Sequence, residues 1–117
     1  MKKNKWIWMP HPAHFICASD CKFFLSTYVG KYIVSTVGEY YPDSKVRDIL
    51  GLVEYGEVGS GRKYETMVFS AIKSGNKCCP YKIEPLSEID SAGYNSAGEA
   101  TAGHYRLCKK WGSKKNV

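Results

Sequence analysis

The sequence predicts an α+β domain: a three- to four-stranded, mostly antiparallel sheet with one C-terminal helix packed on it. Three observations carry this reading. Residues 22–41 read KFFLSTYVGKYIVSTVGEYY, with two runs of Phe, Tyr, Val, Ile and Thr flanking Gly30-Lys31. Strand formers on both sides of a glycine that can take φ > 0 are the signature of a β-hairpin. Residues 63–72, KYETMVFSAI, read as a further strand. Residues 95–111 place Ala97, Ala100, His104, Leu107 and Trp111 on one stripe at helical spacing.

Each element has local support. Residues 6–9 are a short apolar run and predict a first strand, which Pro10, Pro12 and the nearby histidines interrupt. Along the hairpin, Phe23, Leu25, Thr27 and Val29 share one face, and Phe24, Ser26 and Tyr28 the other. Residues 44–50 predict one or two helical turns capped by Asp43 or Ser44. Residues 54–62 are glycine-rich and read as a loop, without the Lys-Ser/Thr continuation that a phosphate-binding loop requires. In the third strand Glu65, Met67, Phe69 and Ala71 share a face, opposite Tyr64, Thr66, Val68 and Ser70. Residues 79–83 predict a short edge strand, because Pro80 cannot donate to a ladder. The helix opens on Ser96-Ala97-Gly98-Glu99, a capping box. Gly112 is its expected stop. Gly103, costly inside a helix, is expected to let the helix approach the sheet closely.

The chain has 117 residues, the size of one domain, with 44% hydrophobic and 24% charged residues. Net charge is +6, yet Lys2, Lys3, Lys5, Lys109, Lys110, Lys114 and Lys115 all lie near the termini. The rest of the chain is close to neutral. Residues 1–5 and 112–117 are therefore read as basic tails on a single domain spanning 1–117. The opening MKKNKWIWMP has too short an apolar run for a signal peptide, and no run approaches the ~20 apolar residues of a membrane helix. Five cysteines, an odd number, fit reduced thiols in a cytosolic compartment.

Three kinds of chemistry are legible. His14, Cys17, Cys21 and Cys108 are a candidate set for one structural zinc, with His11 and His104 as further imidazoles and Cys78-Cys79 as a third source of thiols. Without an ion the same thiols pack as small apolar side chains. Glu65 and His104 are candidate binding residues, with Arg62, Tyr64, Tyr40 and Tyr41 as neighbours able to pair with a carboxylate or meet a partner. A small enzyme built on Glu65, His104 or the cysteines is an alternative. Trp6, Trp8, Tyr105 and Trp111, interleaved with basic residues, could stack on nucleic acid.

The runs Ile33-Val34-Ser35-Thr36-Val37 and Tyr64-Glu65-Thr66-Met67-Val68-Phe69, then Tyr94-Asn95-Ser96 with Glu99-Ala100 and Gly103-His104, form a recognisable pattern. It resembles a widespread family of small tailed-phage and prophage accessory proteins. The resemblance implies an accessory protein working in the bacterial host cytoplasm and carries no established activity. The expected function is non-enzymatic binding of a host or phage protein, in its sharpest form inhibition of a bacterial defence complex in the manner of an anti-CRISPR protein. A nucleic-acid-binding accessory protein is the alternative. No membrane partner is expected.

Overall fold

Gly30 sits at φ 65°, a conformation open to glycine at little cost, and turns the chain between two nine-residue strands. The computed structural model describes residues 6–11, 13, 21–40 and 62–113. Its elements are β1 (Trp6–Trp8), β2 (Cys21–Val29), β3 (Tyr32–Tyr40), β4 (Tyr64–Lys73), β5 (Tyr81–Tyr94) and α1 (Ala97–Gly112). The five strands form one sheet in the order β1-β2-β3-β4-β5, and every neighbouring pair is antiparallel. The α+β class holds, with five strands rather than three or four. The helical turns expected over 44–50 lie outside the described residues, as does the loop over 54–62 except for Arg62.

β5 is where the sequence reading and the structure part. A short edge strand was expected over 79–83; the strand runs for 14 residues, Tyr81–Tyr94. Pro85 masks this continuity. The ladder explains how it is tolerated: Ala71 pairs with Ile83 and Phe69 with Glu88, so residues 84–87 leave the ladder opposite the single residue Ser70. Pro85 sits in that excursion and no ladder donor is missing. Ser87 Oγ donates to the Glu84 carbonyl at 2.6 Å and accepts from the Ser70 amide at 3.1 Å, which ties the excursion down. Leu86, at φ 60°, stands at its tip and is 94% exposed.

The helix covers the face that carries Thr27, Val29, Val34, Thr36, Thr66 and Val68. Val29, Val34, Val68, Leu107 and Cys108 form its apolar core, flanked by Trp6, Tyr32, Ala92 and Trp111. The other face is also shielded at its centre, where Ser26, Ile33, Ser35 and Val37 are buried. Tyr81 stacks on Tyr28 with ring centroids 3.7 Å apart and planes within 5°. Two strands separate β2 from β5, so this contact requires the far ends of β4 and β5 to curl over that second face, an expression of sheet twist.

Both helix ends are tied. Ser96 is the N-cap, its Oγ accepting from the Glu99 amide at 3.1 Å and donating to the Glu99 carboxylate at 3.2 Å. The Ser96 half of the capping box is formed as read, while the Glu99 carboxylate meets the Ser96 hydroxyl. At the other end Ser113, not a glycine, is the C-cap. Gly112 belongs to the last turn, where a Cβ would lie 3.2 Å from Val29 Cβ and 3.3 Å from Trp6 Nε1. Lys109 and Lys110 also belong to that turn rather than to a tail, and their charge suits the helix C-terminus. Asp90 of β5 accepts from Trp111 Nε1 at 2.9 Å and from Lys110 Nζ at 3.0 Å. The Trp111 hydrogen bond, aided by Lys110 and opposed by partial burial, holds the Asp90 carboxyl below the usual aspartate range.

Gly103 makes the close approach that the sequence suggested. A Cβ there would collide with the ring and hydroxyl of Tyr94, which crosses beneath the helix. The Tyr94 hydroxyl is buried and has no hydrogen-bond partner among the described residues. Gly103→Ala is expected to destabilise the fold by about 1–3 kcal/mol despite its better helix propensity, because a ring anchored in a strand cannot give way. Tyr94→Phe removes the unpaired hydroxyl and is expected to leave stability unchanged or raised. Urea unfolding of both variants checks the pair.

Candidate functional site

A helix laid on a sheet is usually joined by apolar side chains; here the joint is polar at its centre. His104 is 0% exposed, and its Nε2 lies 2.8 Å from Thr27 Oγ1 and its Nδ1 2.7 Å from Thr36 Oγ1. Thr36 Oγ1 lies 2.6 Å from Thr66 Oγ1, directly across the β3–β4 ladder. Cys108, one helical turn after His104, hydrogen-bonds Thr27 as well. The chain Cys108–Thr27–His104–Thr36–Thr66 thus runs through the interface. Neutral imidazole donates from one ring nitrogen and accepts at the other, so hydroxyls on both sides satisfy it without a charge. Burial lowers the His104 pKa to about 4. Burial likewise pushes the Cys108 thiol up to about 12, only partly offset by Thr27.

Several predicted site residues are therefore interior joints. His104 has no free ring nitrogen and no exposure. Tyr64 is buried, edge-on to Phe23 with centroids 5.2 Å apart, its ring lying over Gly38 and its hydroxyl donating to Glu39 at 3.0 Å. Glu65 is half-buried and points to the face away from the helix, since its neighbour Thr66 belongs to the His104 chain. Glu65 and His104 are thus separated by the sheet and form no pair. Arg62 is exposed, with its aliphatic stem over Gly93. Tyr40 pairs with Cys21 through the backbone ladder. Tyr41 lies outside the described residues.

His14 and Cys17 of the expected zinc set also lie outside the described residues. Its other two members are not brought together. Cys21 opens β2, whereas Cys108 bonds Thr27, six residues along the same strand or about 20 Å away. One ion cannot span both thiols. A different His/Cys group does converge: His11 just after β1, and Cys78 and Cys79 in the turn between β4 and β5. Their ligand atoms all lie within 4.8 Å of one another. Partial burial and the neighbouring Cys78 raise the Cys79 thiol above its ordinary value. Adjacent cysteines are unusual joint ligands, which is why sequence spacing did not favour this set. The distance of 67 residues between His11 and Cys78 hid the third member.

A third feature is on the surface. Trp8 and Tyr105 are 44% and 45% exposed and pack with ring centroids 5.5 Å apart. Trp6 completes the group, 6.1 Å from Tyr105 and 6.4 Å from Trp8. Trp8 in turn lies over the His104 ring at 5.5 Å. Trp111 is not part of it; its ring packs edge-on against Tyr32, 5.1 Å away. No described helix is long and apolar enough to cross a membrane. Compared with known proteins, the chain matches no family model, no curated sequence and no solved structure.

The His104 chain makes stability depend on pH. Unfolded, the imidazole takes a proton below about pH 6.5; folded, it stays neutral down to about 4. Stability from the neutral form is complete above pH 6.5 and is lost as pH falls towards 4, by roughly 3 kcal/mol. Denaturant unfolding across that window is expected to show the loss, and His104→Gln, which cannot titrate, is expected to flatten this acid limb while lowering stability at pH 7.

Proposed function

We propose that this chain is a non-enzymatic binding protein of phage or prophage origin, acting on a host or phage protein in the bacterial cytoplasm. Its recognition surface is the Trp6–Trp8–Tyr105 platform. The single observation that carries this reading is that Trp8 and Tyr105, large aromatic side chains, stand nearly half exposed against each other. Aromatic side chains held rigidly at a surface are the usual anchors of protein interfaces, because they bury much area while losing little rotamer freedom. Here β1 fixes Trp8, α1 fixes Tyr105, and the fully paired His104 lies behind Trp8. Inhibition of a bacterial defence complex is the sharpest form of the proposal. The phage origin is supported by the resemblance of the β3, β4 and α1 sequences described above.

The same platform favours one second reading, single-stranded nucleic acid. Both rings offer faces for base stacking, and exposed Lys109 lies one turn beyond Tyr105 on the same side of the helix, with Arg106 also exposed. The two readings separate in one experiment. Tagged wild type and the Trp8→Ala/Tyr105→Ala variant are used to capture partners from host lysate, with and without nuclease. A stoichiometric protein that survives nuclease and binds the folded variant at least about tenfold more weakly is the expected result. Nuclease-sensitive capture moves the platform to nucleic acid. Unchanged capture by the variant removes the platform from either role.

A further inference from the structure

We infer that His11, Cys78 and Cys79 form a site for one thiophilic d¹⁰ cation, Zn²⁺ or Cu⁺. The geometry is the first argument. An ion held tetrahedrally at about 2.1 Å from an imidazole nitrogen and about 2.3 Å from a thiolate sets N···S separations of about 3.5 Å. His11 Nδ1 lies 3.4 Å from Cys79 Sγ and 3.8 Å from Cys78 Sγ. Both imidazole–thiol separations match the spacing that ligation demands, and all three ligand atoms lie within 4.8 Å of one another. Imidazole and thiolate are the donor types that select Zn²⁺ and Cu⁺ over magnesium or calcium.

Preorganisation is the second argument. The segment before His11 is pinned to β2 by the Met9 amide donating to the Ser26 carbonyl at 2.8 Å. The turn that carries the cysteines is closed by the Ser74 amide donating to the Pro80 carbonyl at 3.0 Å. Inside it Ser74 Oγ donates to the Cys79 carbonyl and accepts from the Asn76 amide. Both arms of the site are thus held by main-chain bonds without help from an ion.

An independent observation points to an occupant. His11 and Cys79 line a cavity of about 180 Å³ together with Met9, Ser26, Tyr81 and Ile83. Ser26 is 1% exposed, and its hydroxyl has no hydrogen-bond partner among the described residues. A buried, unpaired hydroxyl is costly and calls for a partner. Three protein ligands leave a tetrahedral ion one open position, and the cavity that His11 and Cys79 share with Ser26 has room for a water on it. Two-thiolate, one-imidazole coordination also suits Cu⁺ with no fourth ligand.

Anaerobic, fully reduced, metal-free protein tests the inference. Zn²⁺ and Cu⁺ are each titrated in competition with a chromophoric chelator, and Co²⁺ is added as a spectroscopic probe of thiolate ligation. One equivalent is expected to bind, with sulfur-to-cobalt charge-transfer absorption and a raised melting temperature, since the ion fastens the end of β1 to the β4–β5 turn. Cys78→Ser and Cys79→Ser, both at accessible positions, are expected to weaken binding at least about a hundredfold, more than losing an outer partner does. His11→Ala should weaken it too and leave the cobalt-thiolate band displaced. Tighter Zn²⁺ than Cu⁺ binding, relative to the chelators, assigns the four-coordinate form, and the reverse the three-coordinate one. Absence of stoichiometric binding overturns the site. So does binding that survives both cysteine substitutions and is lost in Cys21→Ala, which would return the ion to the N-terminal cysteines.

Discussion

Everything on the helix side of the sheet is arranged around one imidazole with no access to water. His104 can sit there only if both ring nitrogens are paired and the ring stays uncharged, because an unpaired polar group in such a place costs about 1–3 kcal/mol and a charge far more. Two adjacent strands meet the demand, β2 with Thr27 and β3 with Thr36, and β4 adds Thr66 behind Thr36. Thr36 and Thr66 are ladder partners, and Thr27 sits beside them through its pairing with Val34. Slipping β2 or β3 by one residue would turn its threonine to the opposite face and take a partner from the ring, and slipping β4 would take Thr66 from Thr36. The network therefore specifies strand register and helix placement together, a task for which an all-apolar joint of Val and Leu is less discriminating. Cys108 reinforces the placement by meeting Thr27 one turn further along α1.

This organisation gives a physical meaning to the runs 33–37, 64–69, 94–96, 99–100 and 103–104. Thr36 and Thr66 belong to the His104 chain; Val34 and Val68 belong to the apolar core; Tyr94 and Gly103 form the closest helix–sheet contact; Ser96 and Glu99 close the N-cap. The pattern is a list of internal joints. The aromatic platform and the His11–Cys78–Cys79 group stand on side chains outside these runs.

The legible parts of the chain were those whose local chemistry agrees with their place in the fold. The Gly30 turn, the alternation of β2, β3 and β4, and the Ser96–Glu99 cap are short-range signals that the tertiary structure leaves intact. β5 was obscured because its ladder is interrupted: Pro85 and the polar residues Glu84 and Ser87 look like a strand end, yet pairing resumes at Glu88 and runs to Tyr94. The Asp90 tie to Trp111 and Lys110 followed β5 into obscurity. Spacing joins Cys21 to His14 and Cys17, and Cys108 to His104 one helical turn away, but Cys108 meets β2 at Thr27, about 20 Å along the strand from Cys21. The converging set instead joins adjacent cysteines to a histidine distant in the chain. Only the curl of β4 and β5 over the second face, marked by the Tyr28–Tyr81 stack, brings that set together.

β1 links the two surface features. It has three residues and pairs only with β2 among the described residues, through Trp6–Val29, Ile7–Tyr28 and Trp8–Thr27. So short an edge strand gains little from its own ladder and depends on what its side chains touch. Trp6 and Trp8 hold it to the helix side, against Tyr105 and His104. Met9 and His11 hold it to the other side, at the Ser26 cavity and beside the cysteines. A short edge strand with an anchor on each face of the sheet thus joins the aromatic group to the His11–Cys78–Cys79 group, which share no residue.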